Sequence, residues 1–272
     1  KKSTIYMCQN CGAQSPQKLG RCPECGKWGT MVEEVLTRTE EEGHGTTRKK
    51  QAKLLKVDDI EAEKIERIPT GITELDRVLG GDAASGEAGI VPGSVVLFAG
   101  EPGIGKSTLL TQLALKLAEK HKSTKAGKQN NKKSTYAFKH SSLSAVIYVC
   151  GEESPEQVKL RLNRISPNLS DLSNQSNLLL YPETDVDNVL GKLKSRKAEK
   201  QEGKMLLIVD SIQTMSTEDL SGVAGSISQI RECTHRLVSF AKTTQTPVFI
   251  VGHVTQKGNI AGPKTIKHAF DT

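Results

Sequence analysis

The sequence predicts an α/β domain with a mainly parallel sheet covered by helices on both faces, preceded by a small cysteine-bearing unit. Three observations predict it. Apolar runs alternate with segments of helical spacing from about Ile60 onward. A glycine-dense stretch, "GEPGIGKST", follows the first of those runs at residues 100–108. Four of the six cysteines fall within the first 25 residues. A chain of 272 residues is long enough for one sizeable core plus a small appendage.

Residues 1–36 carry the clustered cysteines. Residues 37–56, "TRTEEEGHGTTRKKQAKLLK", are charged, lack apolar periodicity and read as a linker. Residues 57–272 hold the α/β domain. Its strands are expected at 94–100, 145–151, 177–182, 205–211 and 247–254, the apolar runs "SVVLFAG", "AVIYVCG", "NLLLYP", "MLLIVDS" and "PVFIVGHV". Continuously apolar strands separated by helices belong to a parallel sheet buried on both sides.

Between the strands, Leu109, Leu113 and Leu117 recur every four residues and mark one helix face. In "SPEQVKLRLNRI", Ser154 reads as an N-cap, Pro155 as N1 and Gln157 as N3 of a capping box, with Val158, Leu162 and Ile165 facing the core. Ile227, Ile230, Leu237 and Ala241 do the same in 226–243. Two stretches break the alternation. "GDAASGEAG" (81–89) is small and polar, and 120–144, rich in Lys, Asn and Ser, reads as a flexible surface insertion.

The formal net charge is +7, which suits a polyanionic partner. The insertion alone supplies seven lysines, so part of that balance is loop composition. Aromatics are only 4%, which argues against a surface built on base stacking. No apolar run approaches the ~20 residues of a membrane-spanning helix. The chain opens "KKSTIYMC", with no signal peptide in view and no initiator methionine, and reads as a trimmed or partial sequence.

The glycine-dense loop fits G-x-x-x-x-G-K-[ST] through Gly100, Gly105, Lys106 and Ser107, after a strand and before a helix. Its residues Gly100, Glu101, Pro102, Gly103, Ile104, Gly105, Lys106, Ser107 and Thr108 form the expected cradle for a nucleotide's phosphates. Helix amides and the lysine supply positive charge, and the Ser107 hydroxyl is a magnesium ligand. Asp210, ending the strand "MLLIVDS", is the expected second magnesium carboxylate. Glu152 and Glu153 end another strand in "YVCGEES". One of them is placed to activate water, with Glu153 preferred. The alternative is that Glu153 only starts the next helix, where an acid suits the dipole. Lys106, Glu153 and Asp210 together predict ATP hydrolysis.

"CQNCGAQSPQKLGRCPEC" spells C-x2-C-x10-C-x2-C through Cys8, Cys11, Cys22 and Cys25. Two tight thiolate pairs close a tetrahedral, structural zinc site. A redox or disulfide pairing is the alternative. Arg21, Lys18 and Lys27 nearby are compatible with phosphate contact or with plain solvation. Cys150 and Cys233 lie within strand and helix patterns and read as core residues.

Taken in order, "IYMCQNCGAQSPQKLGRCPECGKWGTMVEE", "RIPTGITELDRVLGG", "VPGSVVLFAGEPGIGKSTLL", "YVCGEES", "LLIVDSIQTM" and "GHVTQKGNIAGPK" resemble the RadA family of bacterial DNA repair proteins. The resemblance covers nearly all of the chain outside the insertions. It implies a RecA-like P-loop ATPase core behind a four-cysteine zinc finger. It further implies DNA-dependent ATP hydrolysis in homologous recombination, with motor activity on single-stranded or branched DNA. A homo-hexameric ring is implied, with recombinase and replication proteins as partners.

By the same resemblance, Gln229 and Arg231 fall in a DNA-facing loop. His253, Gln256 and Lys257 fall in a relay from the γ-phosphate to a second such loop. The family usually reads "GHVTK" followed by an acid, whereas Gln256 holds the lysine position here and Lys257 follows. The chain ends at "HAFDT", before the family's lysine–asparagine–arginine–phenylalanine–glycine motif and its Lon-protease-like domain. A bacterial member is expected in the cytoplasm at the nucleoid; the Lys/Asn/Ser insertion hints at an organelle of a eukaryote instead. Two other classes share parts of the pattern. A KaiC-type signalling ATPase has the P-loop and paired acids but no zinc finger, and a small-molecule P-loop kinase needs a lid and an acceptor pocket.

Overall fold

The computed structural model describes residues 3–8, 10, 12–36, 66–81, 88–118, 143–166, 177–198, 204–220 and 222–253. The 37–56 linker lies outside them, as do residues 120–142 of the expected insertion.

The cysteine unit is a three-stranded antiparallel sheet. Strands β1 (Ser3–Cys8), β2 (Gln14–Ser15) and β3 (Met31–Leu36) lie in the order β2-β1-β3, with Cys8 opposite Met31. Its core is small, made by Cys8, Cys22 and Met31 with Tyr6, Ala13, Leu19 and Cys25 packed around them. So few apolar residues bury too little surface to hold such a unit by themselves.

The larger unit begins with a short helix, α1 (Thr73–Leu79). It continues through β4 (Val95–Gly100), α2 (Lys106–Ala118), β5 (Leu143–Cys150), α3 (Pro155–Ile165), β6 (Leu178–Tyr181), α4 (Val186–Ala198) and β7 (Lys204–Asp210). A 3-10 turn (Ile212–Thr214), α5 (Ile227–Thr244) and β8 (Val248–His253) complete it. Five strands form one sheet in the order β4-β8-β7-β5-β6, and every pairing is parallel. Each predicted strand is present within two residues of its expected bounds. The insertion is expected to run to 144, but Leu143 already opens β5 and is buried, because its side chain joins the core.

Two apolar layers cover the sheet. On one face Ala145, Ile147, Val149, Leu207 and Val209 pack against α4 and α5 through Val189, Leu193, Ile230, Leu237 and Ala241. On the other, Val146, Tyr148, Leu206, Ile208, Phe249 and Val251 pack against α2 and α3 through Leu110, Leu113, Ala114, Val158 and Leu162. The α2 face departs from the expected one. Leu113 is central, but Leu110, Ala114, Leu115 and Ala118 are buried, while Leu109 and Leu117 are half-buried. The true stripe is the i, i+3, i+4 set of a helix pressed against a sheet. Ile165 and Ile227 are likewise half-buried at the margins of their helices.

The capping box on α3 forms as expected. Gln157 N–H donates to Ser154 Oγ at 3.4 Å, and Ser154 N–H donates to Gln157 Oε1 at 3.0 Å. Such caps stabilise a helix by about 1 kcal/mol.

Candidate functional site

In a parallel sheet the C-terminal strand ends share one edge, and register decides which residues meet there. Gly100 of β4 lies opposite His253 of β8, and Cys150 of β5 lies opposite Asp210 of β7. The glycine loop, the two acids after β5, Asp210 and His253 therefore gather at one edge. Ligands bind at this edge in open α/β sheets.

The loop 100–105 joins β4 to α2. Gly103 and Gly105 have φ of 82° and 94°, a region that side-chain-bearing residues rarely adopt, and it lets backbone amides turn inward. The helical ladder starts with Leu109 N–H donating to the Gly105 carbonyl at 2.9 Å. The amides ahead of it are those a helix N-terminus presents to an anion. Lys106 is buried, and its Nζ donates to the Gly100 and Glu101 carbonyls at 2.9 and 2.8 Å. Ser107 is half-buried, while Glu101, Pro102, Gly103, Ile104 and Thr108 are exposed around the mouth.

Asp210 is 5% exposed. Its Oδ2 accepts the Tyr148 phenol proton at 2.5 Å, while its Oδ1 is buried with no hydrogen-bond partner among the described residues. Burial first, then the neighbouring Asp210 charge, pushes the Tyr148 phenol well above its ordinary range, so it stays a donor.

Beyond β5 the chain bends close to β7. Gly151 N–H donates to the Asp210 carbonyl at 2.8 Å, and a Cβ at position 151 would collide with Thr214 Oγ1. Only glycine permits that approach. It brings Glu152 to Ser211 and His253: the Ser211 hydroxyl donates to Glu152 Oε1 at 2.5 Å, and His253 Nε2 lies 2.5 Å from the same oxygen. Burial works to raise the Glu152 carboxyl, but the Ser211 and His253 hydrogen bonds and the Lys106 charge hold it below the usual carboxylate value.

Glu153 goes elsewhere. Its carboxylate pairs with Arg161 NH2 on α3 and leaves the Ser211–His253 side of the site to Glu152. The sequence preference for Glu153 as the acid facing the reaction therefore runs against the geometry, because successive residues in this bend point apart.

Among the expected DNA-facing residues, Gln229 requires correction. It is 1% exposed, its Oε1 accepts from Thr217 N–H at 2.8 Å, and its Nε2 donates to the Thr217, Leu220 and Gly222 carbonyls at 2.9–3.0 Å. It staples the 217–222 loop to α5 and has no surface for a ligand. Arg231, in the second turn of the same helix, is exposed. Gln256 and Lys257 lie outside the described residues. Arg236, which sequence reading passes over, braces the same loop through Asp187, Asp219 and Glu232. Tyr148, Arg161 and Ser211 are also missed by it; Tyr148 sits in an apolar run where nothing but its hydroxyl distinguishes it.

The cysteine unit contains two matching turns. Gly12 N–H donates to the Cys8 carbonyl at 2.8 Å, and Gly26 N–H to the Cys22 carbonyl at 3.0 Å. Cys8 N–H donates to Ala13 and Cys22 N–H to Lys27, five residues on in each case. The Cys8, Cys22 and Cys25 sulfurs lie within 4.8 Å of one another, with Cys8 and Cys25 at 3.7 Å. Tetrahedral zinc–thiolate bonds of about 2.3 Å place sulfurs roughly 3.8 Å apart, so these residues fit the metal. Asn10 N–H donates to the Cys8 sulfur at 3.4 Å, and the Thr30 hydroxyl lies 3.1 Å from it, both suited to a thiolate. Cys11 lies outside the described residues. None of the five described cysteines is in a disulfide. Burial raises the Cys150 and Cys233 thiols to about 11 and about 12, as expected of inert core residues.

With this geometry, the chain belongs to the AAA domain family, whose model matches residues 61–259. A second model, the rubredoxin metal binding domain, matches residues 6–33. Within that class the whole chain is similar to the DNA repair protein RadA, the family its motifs resemble. It is 41% identical to RadA of Aquifex aeolicus (strain VF5) over 272 residues and 36% identical to that of Bacillus subtilis (strain 168) over 275. The chain spans about half of these relatives, 51% of each. Among solved structures, the ATPase domain of another protein matches with a TM-score of 0.50 at 16% identity, covering 71% of this chain and 66% of that one. That likeness concerns the fold of the larger unit and agrees with the expected RecA-like core; the ribbon before it rests on the rubredoxin model and the cysteine cluster. Among the described residues no helix is long and apolar enough to cross a membrane.

Proposed function

We propose that the protein is an ATP hydrolase of DNA repair and recombination whose turnover is coupled to single-stranded or branched DNA. The observation that carries the hydrolytic part is the convergence at one sheet edge of Lys106, Asp210 and a Glu152 held by Ser211 and His253. Lys106 is placed to leave its two loop carbonyls for the β- and γ-phosphates. Ser107 and the Oδ1 of Asp210 are the residues that would hold magnesium, which when bound neutralises phosphate charge. Glu152 orients the attacking water and takes its proton, and Ser211 and His253 fix its carboxylate. His253, at the start of the expected relay, links that acid to the segment leading to Gln256 and Lys257.

The DNA part rests on the similarity to proteins named for DNA repair and on the accompanying ribbon. Cys8, Cys11, Cys22 and Cys25 hold a structural zinc, and Arg231 is the remaining candidate DNA contact on α5. A homo-hexameric ring and motor action on branched intermediates belong to the same reading. The ribbon favours it over a signalling ATPase of the KaiC type or a small-molecule kinase. The test is ATP turnover of the intact protein with and without single-stranded DNA over a salt series. Stimulation that fades with salt is expected. Equal turnover with and without DNA, with no salt-sensitive binding, overturns the DNA assignment.

A further inference from the structure

We infer that Tyr148 is a positioning residue for the magnesium carboxylate, and that Thr111, Arg161 and Glu153 form a separate polar chain behind Ser107, the other magnesium candidate. The inference rests on the assignment of Asp210 to magnesium. Side chains from β5, β7, α2 and α3 lie behind the site in two hydrogen-bonded groups. The Tyr148 phenol of β5, 1% exposed, donates to Asp210 Oδ2 of β7 at 2.5 Å. The Thr111 hydroxyl of α2 is fully buried and serves the other metal-side residue. Its proton goes to the Ser107 carbonyl at 2.6 Å, while its oxygen accepts from Arg161 NH1 at 3.3 Å. Arg161 of α3, 9% exposed, then reaches the Glu153 carboxylate.

The chemistry of this arrangement is directional. A carboxylate with one oxygen held by a rigid phenol cannot rotate about its terminal bond without losing that hydrogen bond. The other oxygen, Oδ1, is then the one left to face the metal side, and it is the oxygen without a partner among the described residues. The second chain, from Glu153 through Arg161 and Thr111, ends on the backbone carbonyl of Ser107, the other magnesium candidate, so each metal-side residue has its own support. Partners of this kind, one bond removed from a metal, typically change metal affinity by about 10- to 100-fold when removed. The chain also gives Glu153 a role: it neutralises a guanidinium that would otherwise be buried alone.

The experiment compares Tyr148→Phe, Asp210→Asn and the unaltered intact protein. Binding of a fluorescent ATP analogue is measured with EDTA and across a magnesium titration, alongside kcat at each magnesium concentration. In Tyr148→Phe, binding in EDTA stays unchanged, the magnesium needed for half-maximal turnover rises about tenfold, and excess magnesium restores most of kcat. If Tyr148→Phe titrates like the unaltered protein while Asp210→Asn loses its magnesium response, the positioning role is wrong and the Asp210 assignment stands. If Asp210→Asn also titrates normally, the Asp210 assignment itself fails. Should thermal melts show Tyr148→Phe unfolded at the assay temperature, the same comparison is made at a lower temperature at which it is folded.

Discussion

At position 152 and its neighbour 153, two identical side chains on successive residues have different partners. Glu152 meets Ser211 and His253, whereas Glu153 meets Arg161. The sequence indicates that an acid follows β5, but which acid faces the site depends on the bend at Gly151, which carries no pattern a reader of residues can count. Glu153→Gln should therefore lower stability, by about 1–2 kcal/mol for a pair with one half-exposed partner. It should leave more turnover than the change at Glu152; a denaturant melt and a kcat measurement on the same sample check both. Tyr148 gives a pH prediction. Its folded pKa is raised, so its contribution is complete below the unfolded tyrosine value near 10 and is lost as pH rises beyond it. Tyr148→Phe should flatten the fall of stability above pH 10 by up to about 1.4 kcal/mol per pH unit.

Among the elements, the strands are the most legible because each is a continuous apolar run bounded by polar residues, and a buried parallel strand requires that. The α3 cap is also legible, since Ser154 and Gln157 act over three residues. Ser154→Ala should cost about 1 kcal/mol in a thermal or urea melt. Helix faces are less so. On α2 the every-fourth leucines suggest one stripe, and packing against a twisted sheet selects another, centred on Leu110 and Ala114. On α5, Gln229 reads as a polar residue near a loop, yet it closes that loop from inside. Gln229→Leu should destabilise the fold by about 2–3 kcal/mol by leaving backbone groups of the 217–222 loop unpaired. Affinity for DNA of the protein that remains folded should not change, whereas Arg231→Ala should weaken it.

On the scale of the whole molecule, the motifs are visible one at a time but their meeting is not. Residues 100, 152, 210 and 253 converge because the strand order β4-β8-β7-β5-β6 places β7 and β8 between strands earlier in the chain. No local spacing encodes that order. The cysteine unit is the opposite case, where spacing alone points to the ligand set and the fold brings three of its sulfurs together. Removing metal with a strong chelator should unfold the ribbon, seen as new protease cleavage within residues 12–36, while ATP-analogue binding persists. The central claim, that this edge of the sheet hydrolyses ATP through Glu152, is tested most directly with Glu152→Gln. Radiolabelled ATP is incubated with excess protein, and bound and cleaved nucleotide are separated. The account predicts binding close to that of the unaltered protein with cleavage slowed on the order of a hundredfold or more. Cleavage at the unaltered rate would contradict it.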